Sequence, residues 1–341
     1  MKKIFSILIA LFFVLTMFGC KSKDVDTNTA NTNKKYKIAY ISDTYGQEDV
    51  KNKQVIEGVN ESFNNYDFTF DINTPKKPEE YDAVINTMLT STKYDLVLSN
   101  SSAVSSSLVS FHSQYDSSNI GLIGYADETN NGMSITFKAE EGAFLAGVLA
   151  AKQTKSNVVG YIGAYNDRNL DYEYGFRSGV KAVNKNIKVE RAFTGSYMNS
   201  IEGAKKAEEL HGKKVDVIFT VCGAGAIGVN NVAKEKNFKV IDSDLYNKSD
   251  NEVKLAEVYK DYKNATMSIC DAVIYESFDK KVNNMGIADS VVDLKLSSNF
   301  FTESDEINTI LEKVKKDIIT KNVIIPKDNK SYEAFKYNIN D

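Results

Sequence analysis

The chain has 341 residues, 42 basic and 46 acidic side chains and a formal charge of −4, with three cysteines and two histidines. The acidic balance argues against nucleic acid as a partner, because affinity for a polyanion comes mainly from Lys and Arg. Three cysteines are too few for a disulfide scaffold, and a chain of this length can fold on a core of its own.

The first twenty residues, MKKIFSILIALFFVLTMFGC, have the pattern of a secretory signal. Two lysines precede an apolar run over residues 4–18, and the small residue Gly19 stands before Cys20. The run is shorter than the roughly 20 apolar residues of a spanning helix. Gly19 and Cys20 resemble a lipobox, the site at which bacterial lipoproteins are acylated and cleaved. We therefore expect a signal peptide over 1–19 and a lipid anchor at Cys20. An uncleaved membrane anchor is the alternative, and both readings place the body outside the cytoplasm.

The next segment, residues 20–35, has the composition of a disordered tether. It contains one valine and otherwise lacks large aliphatic residues before its final lysines. Such a segment cannot bury enough apolar surface to fold. Acyl chains on Cys20 would hold the body at the membrane surface, since each buried CH₂ contributes about 0.8 kcal/mol.

The body alternates short apolar runs with segments of helical periodicity. The runs predicted as strands are KIAYIS, YDLVLS, NIGLIGY, NVVGYIG, IKVERAF, VDVIFTV and FKVIDS. The segments predicted as helices are NKQVIEGVNESFNN, EEYDAVINTMLTST, EEGAFLAGVLAAKQ, EYGFRSGVKAVNKN and SIEGAKKAEELHG. This alternation predicts an α/β architecture with doubly wound, Rossmann-like parallel sheets.

The length of the body predicts two such lobes joined by a hinge, because one core rarely grows this large. Polar breaks in the pattern suggest three crossings between the lobes. The predicted division is an N-terminal lobe of residues 36–140 and 250–285 and a C-terminal lobe of residues 141–249 and 286–341.

A glycine pattern in VDVIFTVCGAGAIGV raises the question of a dinucleotide cofactor. Gly223, Gly225 and Gly228 have the spacing G-x-G-x-x-G, and Asp242 and Asp244 follow within about twenty residues. A dinucleotide fingerprint normally follows the first strand of its domain, whereas this one follows a later strand. The leader also lacks a twin-arginine signal for exporting a folded cofactor enzyme. We expect no cofactor, and the alternatives that remain are a ligand contact from the turn after the strand or a purely structural turn.

Catalytic and metal-binding patterns are weak in this sequence. The serine-rich stretch 99–110 has only His112 nearby, and His211 ends a charged helix, so a Ser-His-Asp arrangement is disfavoured. Two histidines and two internal cysteines give no metal spacing. Cys222 and Cys270 are expected to be buried free thiols, with a mutual disulfide as the alternative.

Ligands of open parallel sheets bind at the carboxyl ends of the strands. Four candidate residues follow predicted strands in this way, namely Asp43, Asn100, Gly223 and Asp242. Ser101 belongs to a serine turn that we expect to cap a helix whose N–H groups face the cleft.

The sequence resembles the basic membrane protein lipoproteins, a family that includes purine-nucleoside receptors and has the type I periplasmic-binding-protein fold. The segments that support the resemblance are FKAEEGAFLAGVLAA (137–151), VVGYIGA (158–164), YGFRSGVKAVN (174–184), TGSYMNSIEGAKKA (194–207), VDVIFTVCGAGAIGV (215–229) and VIDSD (240–244). They occur in the family's order and span most of the body. The resemblance implies a nucleoside held between two lobes and presented to a membrane transporter, often of the ABC type.

Several site residues follow from the resemblance. Tyr197 matches an aromatic residue that stacks on the base, and Gly223, with Gly225 beside it, matches a turn that meets the ligand. Asp242 matches the carboxylate that binds the ribose hydroxyls. Lys260 matches a lysine that reaches the base.

The first cleft motif departs from the family. The stretch SDTYGQEDVKNKQVIEG keeps Asp43 and Asp49 but lacks the family's phenylalanine, and Tyr45 is the candidate to replace its face. A second family aspartate would fall near Gly124, and Asp127 comes three residues later. The sequence thus predicts a lipid-anchored extracytoplasmic protein, not an enzyme, that binds a nucleoside for an ABC permease. The alternative is a sensor or regulatory lipoprotein with an altered pocket.

Overall fold

The computed structural model describes residues 34–115, 118–129, 131–243 and 252–340. In these ranges strands and helices alternate along the chain, and the strands form two six-stranded sheets. The predicted fold class, two doubly wound α/β lobes, is confirmed. The predicted leader, Cys20 and the tether up to residue 33 lie outside the described residues. None of the helices within the described ranges is both long and apolar enough to cross a bilayer.

The first sheet is entirely parallel and has the strand order β11-β5-β4-β3-β1-β2. Its strands, numbered in chain order, are β1 Lys35–Ile41, β2 Asp67–Asn73, β3 Leu96–Ser99, β4 Asn119–Ile123, β5 Met133–Phe137 and β11 Val282–Met285. The helices that accompany this sheet are α1 Val50–Phe63, α2 Tyr81–Ser91, α3 Ser102–Tyr115 and α8 Tyr262–Ile274, with a single 3₁₀ turn at Pro78–Glu80. The buried strands read as continuous apolar runs because helices cover both faces of the sheet.

The second sheet has the order β12-β10-β9-β8-β6-β7 and is parallel except for β12, which pairs antiparallel with β10. Its strands are β6 Val158–Gly163, β7 Lys188–Phe193, β8 Val217–Val221, β9 Lys239–Ser243, β10 Lys254–Lys260 and β12 Val292–Leu296. The other helices are α4 Ala139–Gln153, α5 Leu170–Val183, α6 Ser200–Gly212, α7 Gly225–Lys236, α9 Glu306–Ile319 and α10 Asn329–Ala334, with a 3₁₀ turn at Ile287–Asp289.

The chain crosses between the sheets at three places. The first crossing is at Lys138, the second at Asp261 between β10 and α8, and the third lies between β11 and β12. The predicted division assigned residues 250–285 to the first lobe, and for β10 this is wrong. β10 pairs with β9 and β12, so its backbone hydrogen bonds belong to the second sheet.

Hydrogen bonds join the three crossing segments to each other. The amide of Lys138 donates to the Met285 carbonyl at 2.8 Å, and the amide of Asp261 donates to the Val291 carbonyl at 2.8 Å. The carboxylate of Glu141 accepts from the Ile287 amide at 2.7 Å. The crossings therefore form one connected hinge.

The carboxyl edges of the two sheets meet at this hinge. β5 of the first lobe ends at Phe137, and β10 of the second lobe ends at Lys260, whose Nζ lies 5.8 Å from the centre of the Phe137 ring. The same lysine Nζ lies 5.0 Å from the centre of the Tyr172 ring at the start of α5. Because ligands of parallel sheets bind at these edges, the space between them is the place to look for a site.

Candidate ligand site between the two lobes

At the carboxyl edge of the first sheet, the polar side chains are arranged around Asn52, a buried asparagine near the start of α1. Its Nδ2 donates to Asp43 Oδ1 at 2.9 Å and to the Gly46 carbonyl at 2.8 Å. Its Oδ1 accepts from Asn100 Nδ2 at 3.0 Å and lies 2.9 Å from the hydroxyl of Tyr40. The side chains at the ends of β1 and β3 are therefore joined in one polar network.

Asp43 is partly buried in this network, and its two carboxylate oxygens have different surroundings. Oδ1 accepts from Asn52 Nδ2 and from the Tyr45 amide at 3.0 Å. Among the described residues, Oδ2 has no hydrogen-bond partner. Asp43 can therefore accept a hydrogen bond from a ligand without breaking its own contacts.

The other first-lobe candidates have mostly structural contacts. Asp49 caps α1, accepting from the amides of Lys51 at 3.0 Å and Asn52 at 3.4 Å. Ser101 is buried, and its carbonyl accepts from the Ser105 amide and hydroxyl. The side chain of Tyr45 is 69% exposed, and its backbone amide donates to Asp43 Oδ1.

Asp127 does not stand in for the family's second aspartate. The side chain is 4% exposed, and its oxygens accept from the amides of Thr129, Asn131 and Gly132 and from the Thr129 hydroxyl. These bonds lower the pKa of Asp127 against the opposing effect of burial, which is the largest single influence. Both oxygens of the Asp127 carboxylate are thus used by hydrogen bonds within its own loop.

In the second lobe Asp242 lies at the end of β9 and is 1% exposed. Oδ1 accepts from the Thr220 hydroxyl at 2.7 Å, and the Asn230 amide lies 3.3 Å from both oxygens. Burial raises the pKa of Asp242 to about 6, and the bonds from Thr220 and Asn230 oppose that rise. In this arrangement the carboxylate is almost completely closed to solvent.

Tyr197 lies in the loop after β7 with its ring half-buried. Its hydroxyl accepts from Asn169 Nδ2 at 2.9 Å, and its ring meets that of Tyr165 edge to face at 5.4 Å. Burial raises the pKa of Tyr197, so it stays a neutral phenol. Arg168 lies 4.8 Å from the Tyr165 ring, which makes this corner an aromatic and cationic surface.

The glycine turn after β8 is a packing device. Gly223 has a φ of +57°, and a Cβ there would lie 2.6 Å from the Tyr197 carbonyl. The amides of residues 224–226 donate to carbonyls of the protein, so none is left for a phosphate. Gly225 and Gly228 lie where α7 crosses α6, so close that a Cβ on Gly228 would overlap the Ser200 carbonyl. Helix packing and a left-handed turn account for the spacing that resembled a dinucleotide fingerprint.

The other reactive side chains that the structure describes lie apart from one another. Among the described residues no group of three or more His, Cys, Asp and Glu side chains could hold a metal ion. Cys222 and Cys270 are buried free thiols, as predicted. Ser99 donates to the Ile41 carbonyl in the first lobe, whereas the His211 ring packs on Phe238 in the second.

Sequence reasoning missed the buried asparagines of the two lobes, although a signal was present. Asn52 shares the buried stripe of α1 with Val55 and Val59, and Asn230 shares that of α7 with Ala226 and Ala233. A polar residue on an apolar stripe needs buried partners, so such positions point to a network.

Comparisons with known proteins agree with this geometry. A sequence model of the family described as "ABC transporter substrate-binding protein PnrA-like" matches residues 35–329. Basic membrane protein A of Borreliella burgdorferi is 30% identical over 213 residues, which cover 60% of this chain and 62% of that protein. The match thus spans less than two thirds of that relative's length.

Solved structures show the same fold at low sequence identity. An ABC transporter solute-binding protein from Aeropyrum pernix K1 has a TM-score of 0.65 at 18% identity, covering 88% of this chain and 96% of that chain. A protein described as a transcriptional activator of the comK gene, from Bacillus halodurans, has a TM-score of 0.73 at 16% identity, covering 85% of this chain and 99% of that one. These two similarities concern the fold alone.

Proposed function

The chain belongs to the family of PnrA-like ABC transporter substrate-binding proteins, and from this premise we propose that it captures a nucleoside between its lobes and delivers it to an ABC permease. Solute binding, not catalysis, is the activity of this family. The nucleoside and the permease are the parts that belong to the proposal.

The observation that supports a nucleoside is the position of two carboxylates at the carboxyl edges of different sheets. Asp43 lies two residues after β1 of the first lobe, and Asp242 is the last residue but one of β9 in the second. A nucleoside carries hydrogen-bond donors at both ends, namely the hydroxyls of the sugar and the N–H groups of the base. Charge-assisted hydrogen bonds to a carboxylate are roughly twice as strong as neutral ones.

Aromatic and cationic side chains at the same edges suit a flat base. Tyr197 offers a half-buried ring, Tyr45 an exposed one, and Lys260 stands between rings of both lobes. Stacking on an aromatic side chain contributes about 1–3 kcal/mol per base. Contacts to both lobes at once favour the closed arrangement, so binding would drive closure of the hinge.

The experiment is calorimetry of the purified full chain in detergent against inosine, guanosine, adenosine, cytidine and uridine, with ribose as control. Saturable binding of at least one nucleoside, with none of ribose, is expected. An absence of heat and of ligand-induced thermal stabilisation across the panel would remove the nucleoside from the proposal while leaving solute binding intact.

We place the protein on the extracytoplasmic face of the membrane, held by a lipid on Cys20. The support is the leader pattern and the Gly19-Cys20 pair. Radiolabelled palmitate should enter the wild-type chain and not the Cys20→Ser variant, and only the variant should leave the membrane fraction. Equal labelling of both would exclude this anchor.

The second candidate is a sensor or regulatory lipoprotein with the same fold. Two features favour it. Asp127 hydrogen-bonds within its own loop and is not available to a ligand, and Asp242 is buried. A pull-down in which an envelope protein other than a permease is retained, with no nucleoside found by mass spectrometry of the purified protein, would support this candidate over transport.

A further inference from the structure

Asn52 uses both of its amide protons, and its Oδ1 accepts from Asn100 while sharing the single proton of the Tyr40 hydroxyl with Asn100 Oδ1, which lies 2.8 Å from that hydroxyl. An asparagine amide can donate twice and accept twice. Both protons of Nδ2 are donated to the loop between β1 and α1, one to Asp43 and one to the Gly46 carbonyl. Oδ1 accepts from Asn100 and faces the hydroxyl of Tyr40. The side chain is 1% exposed, so water cannot replace these partners.

Neither aspartate nor alanine reproduces these hydrogen bonds. An aspartate would offer only acceptors to the carboxylate of Asp43 and to the Gly46 carbonyl. An alanine would remove one hydrogen bond each from Asp43, the Gly46 carbonyl and the buried Asn100 amide, and for the buried amide the loss carries the cost of an unpaired polar group. Tyr40 remains a donor throughout, because burial, followed by the charges of Asp43 and Asp49, raises its pKa well above the usual value.

The consequence is a fixed orientation for Asp43. The bond from Asn52 and the bond from the Tyr45 amide both end on Oδ1. Oδ2 is the oxygen without a partner among the described residues. A carboxylate that is held at one oxygen presents the other in one direction, at no further entropic cost on binding.

We infer that Asn52 is a positioning residue that aims Oδ2 of Asp43 at the ligand, so that the first lobe selects a ligand with an N–H or O–H donor at the facing end. The inference rests on the proposed ligand role of Asp43. It deepens that role by naming what sets the direction of the carboxylate and what the ligand must offer.

The second lobe contains a parallel arrangement. Asn230 of α7 donates to the Ala226 carbonyl at 2.8 Å and lies 3.3 Å from both oxygens of Asp242. In each lobe a buried helical asparagine therefore holds the aspartate at the end of a strand. The two differ in that Asn52 engages one oxygen of its aspartate and Asn230 engages both.

The binding test compares Asn52→Ala and Asn52→Asp with Asn60→Ala, an exposed position in the same helix. Guanosine and inosine are the probes, titrated by calorimetry between pH 5 and pH 8. Both Asn52 variants should bind about tenfold more weakly or worse at pH 7.5, and Asn60→Ala should bind as wild type.

Asn52→Asp should regain affinity as the pH falls, because one proton relieves the repulsion between two carboxylates. Asn52→Ala should show no such recovery, and a shared pH profile would overturn the inference.

A second experiment, done without ligand, tests this inference separately from the proposed function. In crystal structures without ligand, Asn52→Ala should keep the fold while Asp43 changes its rotamer and the turn at Gly46 rearranges. An unchanged Asp43 would refute the inference whether or not any nucleoside binds. If the wild type binds no nucleoside but Asp43 does turn in the variant, the nucleoside assignment fails and the positioning role stands.

Discussion

Thr220 and Asp242 are register partners on the adjacent strands β8 and β9, and the threonine hydroxyl donates to the carboxylate at 2.7 Å. The bond lies in the interior of the second lobe, since the two side chains are each 1% exposed. The hydrogen bonds from the Thr220 hydroxyl and the Asn230 amide stabilise the charged carboxylate. They stabilise it by less than the hydration energy that the carboxylate loses on burial. The balance explains why the pKa of Asp242 rises to about 6 despite these bonds.

The first prediction follows from that pKa and concerns stability against pH. The folded chain holds the Asp242 proton up to about pH 6, whereas the unfolded chain releases it near its ordinary value of 3.8. The free energy of unfolding should therefore rise as the pH is lowered from about 7 to about 4, by roughly 3 kcal/mol at most from this group. Asp242→Asn should lack this contribution. Urea unfolding at a series of pH values measures it.

The control for this experiment must account for Glu140, because burial raises its pKa to about 7 and its contribution has the same sign. The quantity to compare is thus the difference between wild type and Asp242→Asn at each pH. A difference that stays constant from pH 4 to pH 7.5 would contradict the assigned pKa.

Much of the fold could be predicted because burial leaves a plain pattern in the sequence. All seven apolar runs contain strands, from KIAYIS in β1 to FKVIDS in β9, and all five periodic segments contain helices. Five strands were missed, namely β2, β5, β10, β11 and β12, and two of them have no fully buried residue. The edge strand β2, with the sequence DFTFDIN, has no fully buried residue, and β11, with the sequence VNNM, has none either. The other missed edge strand is β12, whereas β5 and β10 are internal strands whose buried residues alternate with or adjoin polar ones. A continuous apolar run was the pattern used, so strands that mix polar and apolar residues escaped it.

The site was harder to predict because a residue type does not reveal its partners. Asp43 and Asp242 both lie at the carboxyl ends of apolar strands, Asp43 just after β1 and Asp242 within β9. Yet one has an oxygen without a described partner and the other is enclosed by Thr220 and Asn230. The glycines showed the same limit. Their spacing indicated close approach correctly, but the neighbour is helix α6 and not a phosphate.

A second prediction tests that close approach. Gly228→Ala should lower the free energy of unfolding by about 3 kcal/mol, because the added Cβ meets the backbone carbonyl of Ser200, which cannot rotate away. Gly212→Ala is the matched control, since a Cβ there meets nothing within 4 Å. Chemical denaturation of both variants decides the matter. Equal stabilities would mean that α6 and α7 are not packed as described.

The third prediction separates the ring of Tyr197 from its hydroxyl. Tyr197→Ala should weaken guanosine binding by about 1–3 kcal/mol if the ring stacks on the base. Tyr197→Phe keeps the ring and loses only the bond from Asn169, so its binding should change far less. Tyr275→Ala, on a partly exposed ring in the first lobe, is the control. Calorimetry measures all three, and a phenylalanine variant as weak as the alanine variant would show that the hydroxyl, not the ring, binds the ligand.

The last prediction concerns the hinge, where Glu141 bonds one crossing segment to another. Its Oε2 accepts from the Ile287 amide at 2.7 Å, and its Oε1 lies 3.7 Å from the ammonium group of Lys138. Gly286 allows this contact, because a Cβ there would overlap the Glu141 carboxylate. Burial raises the pKa of Glu141 while the Ile287 amide opposes the rise. The carboxylate therefore sets the spacing of the hinge.

Glu141→Ala leaves the Ile287 amide without an acceptor in a buried position, which should cost about 1–3 kcal/mol of stability. Glu141→Gln keeps an acceptor and loses only the charge facing Lys138, so it should fall between the alanine variant and wild type. The specific readout is hydrogen exchange at the Ile287 amide, which should quicken strongly in the alanine variant and little in the glutamine variant. Glu303→Ala, at an exposed position outside the hinge, controls for the loss of a carboxylate.

Because ligand-driven closure requires the three crossings to move as one unit, the alanine variant should also bind guanosine more weakly. If exchange quickens and binding stays the same, this bond stabilises the fold without governing closure.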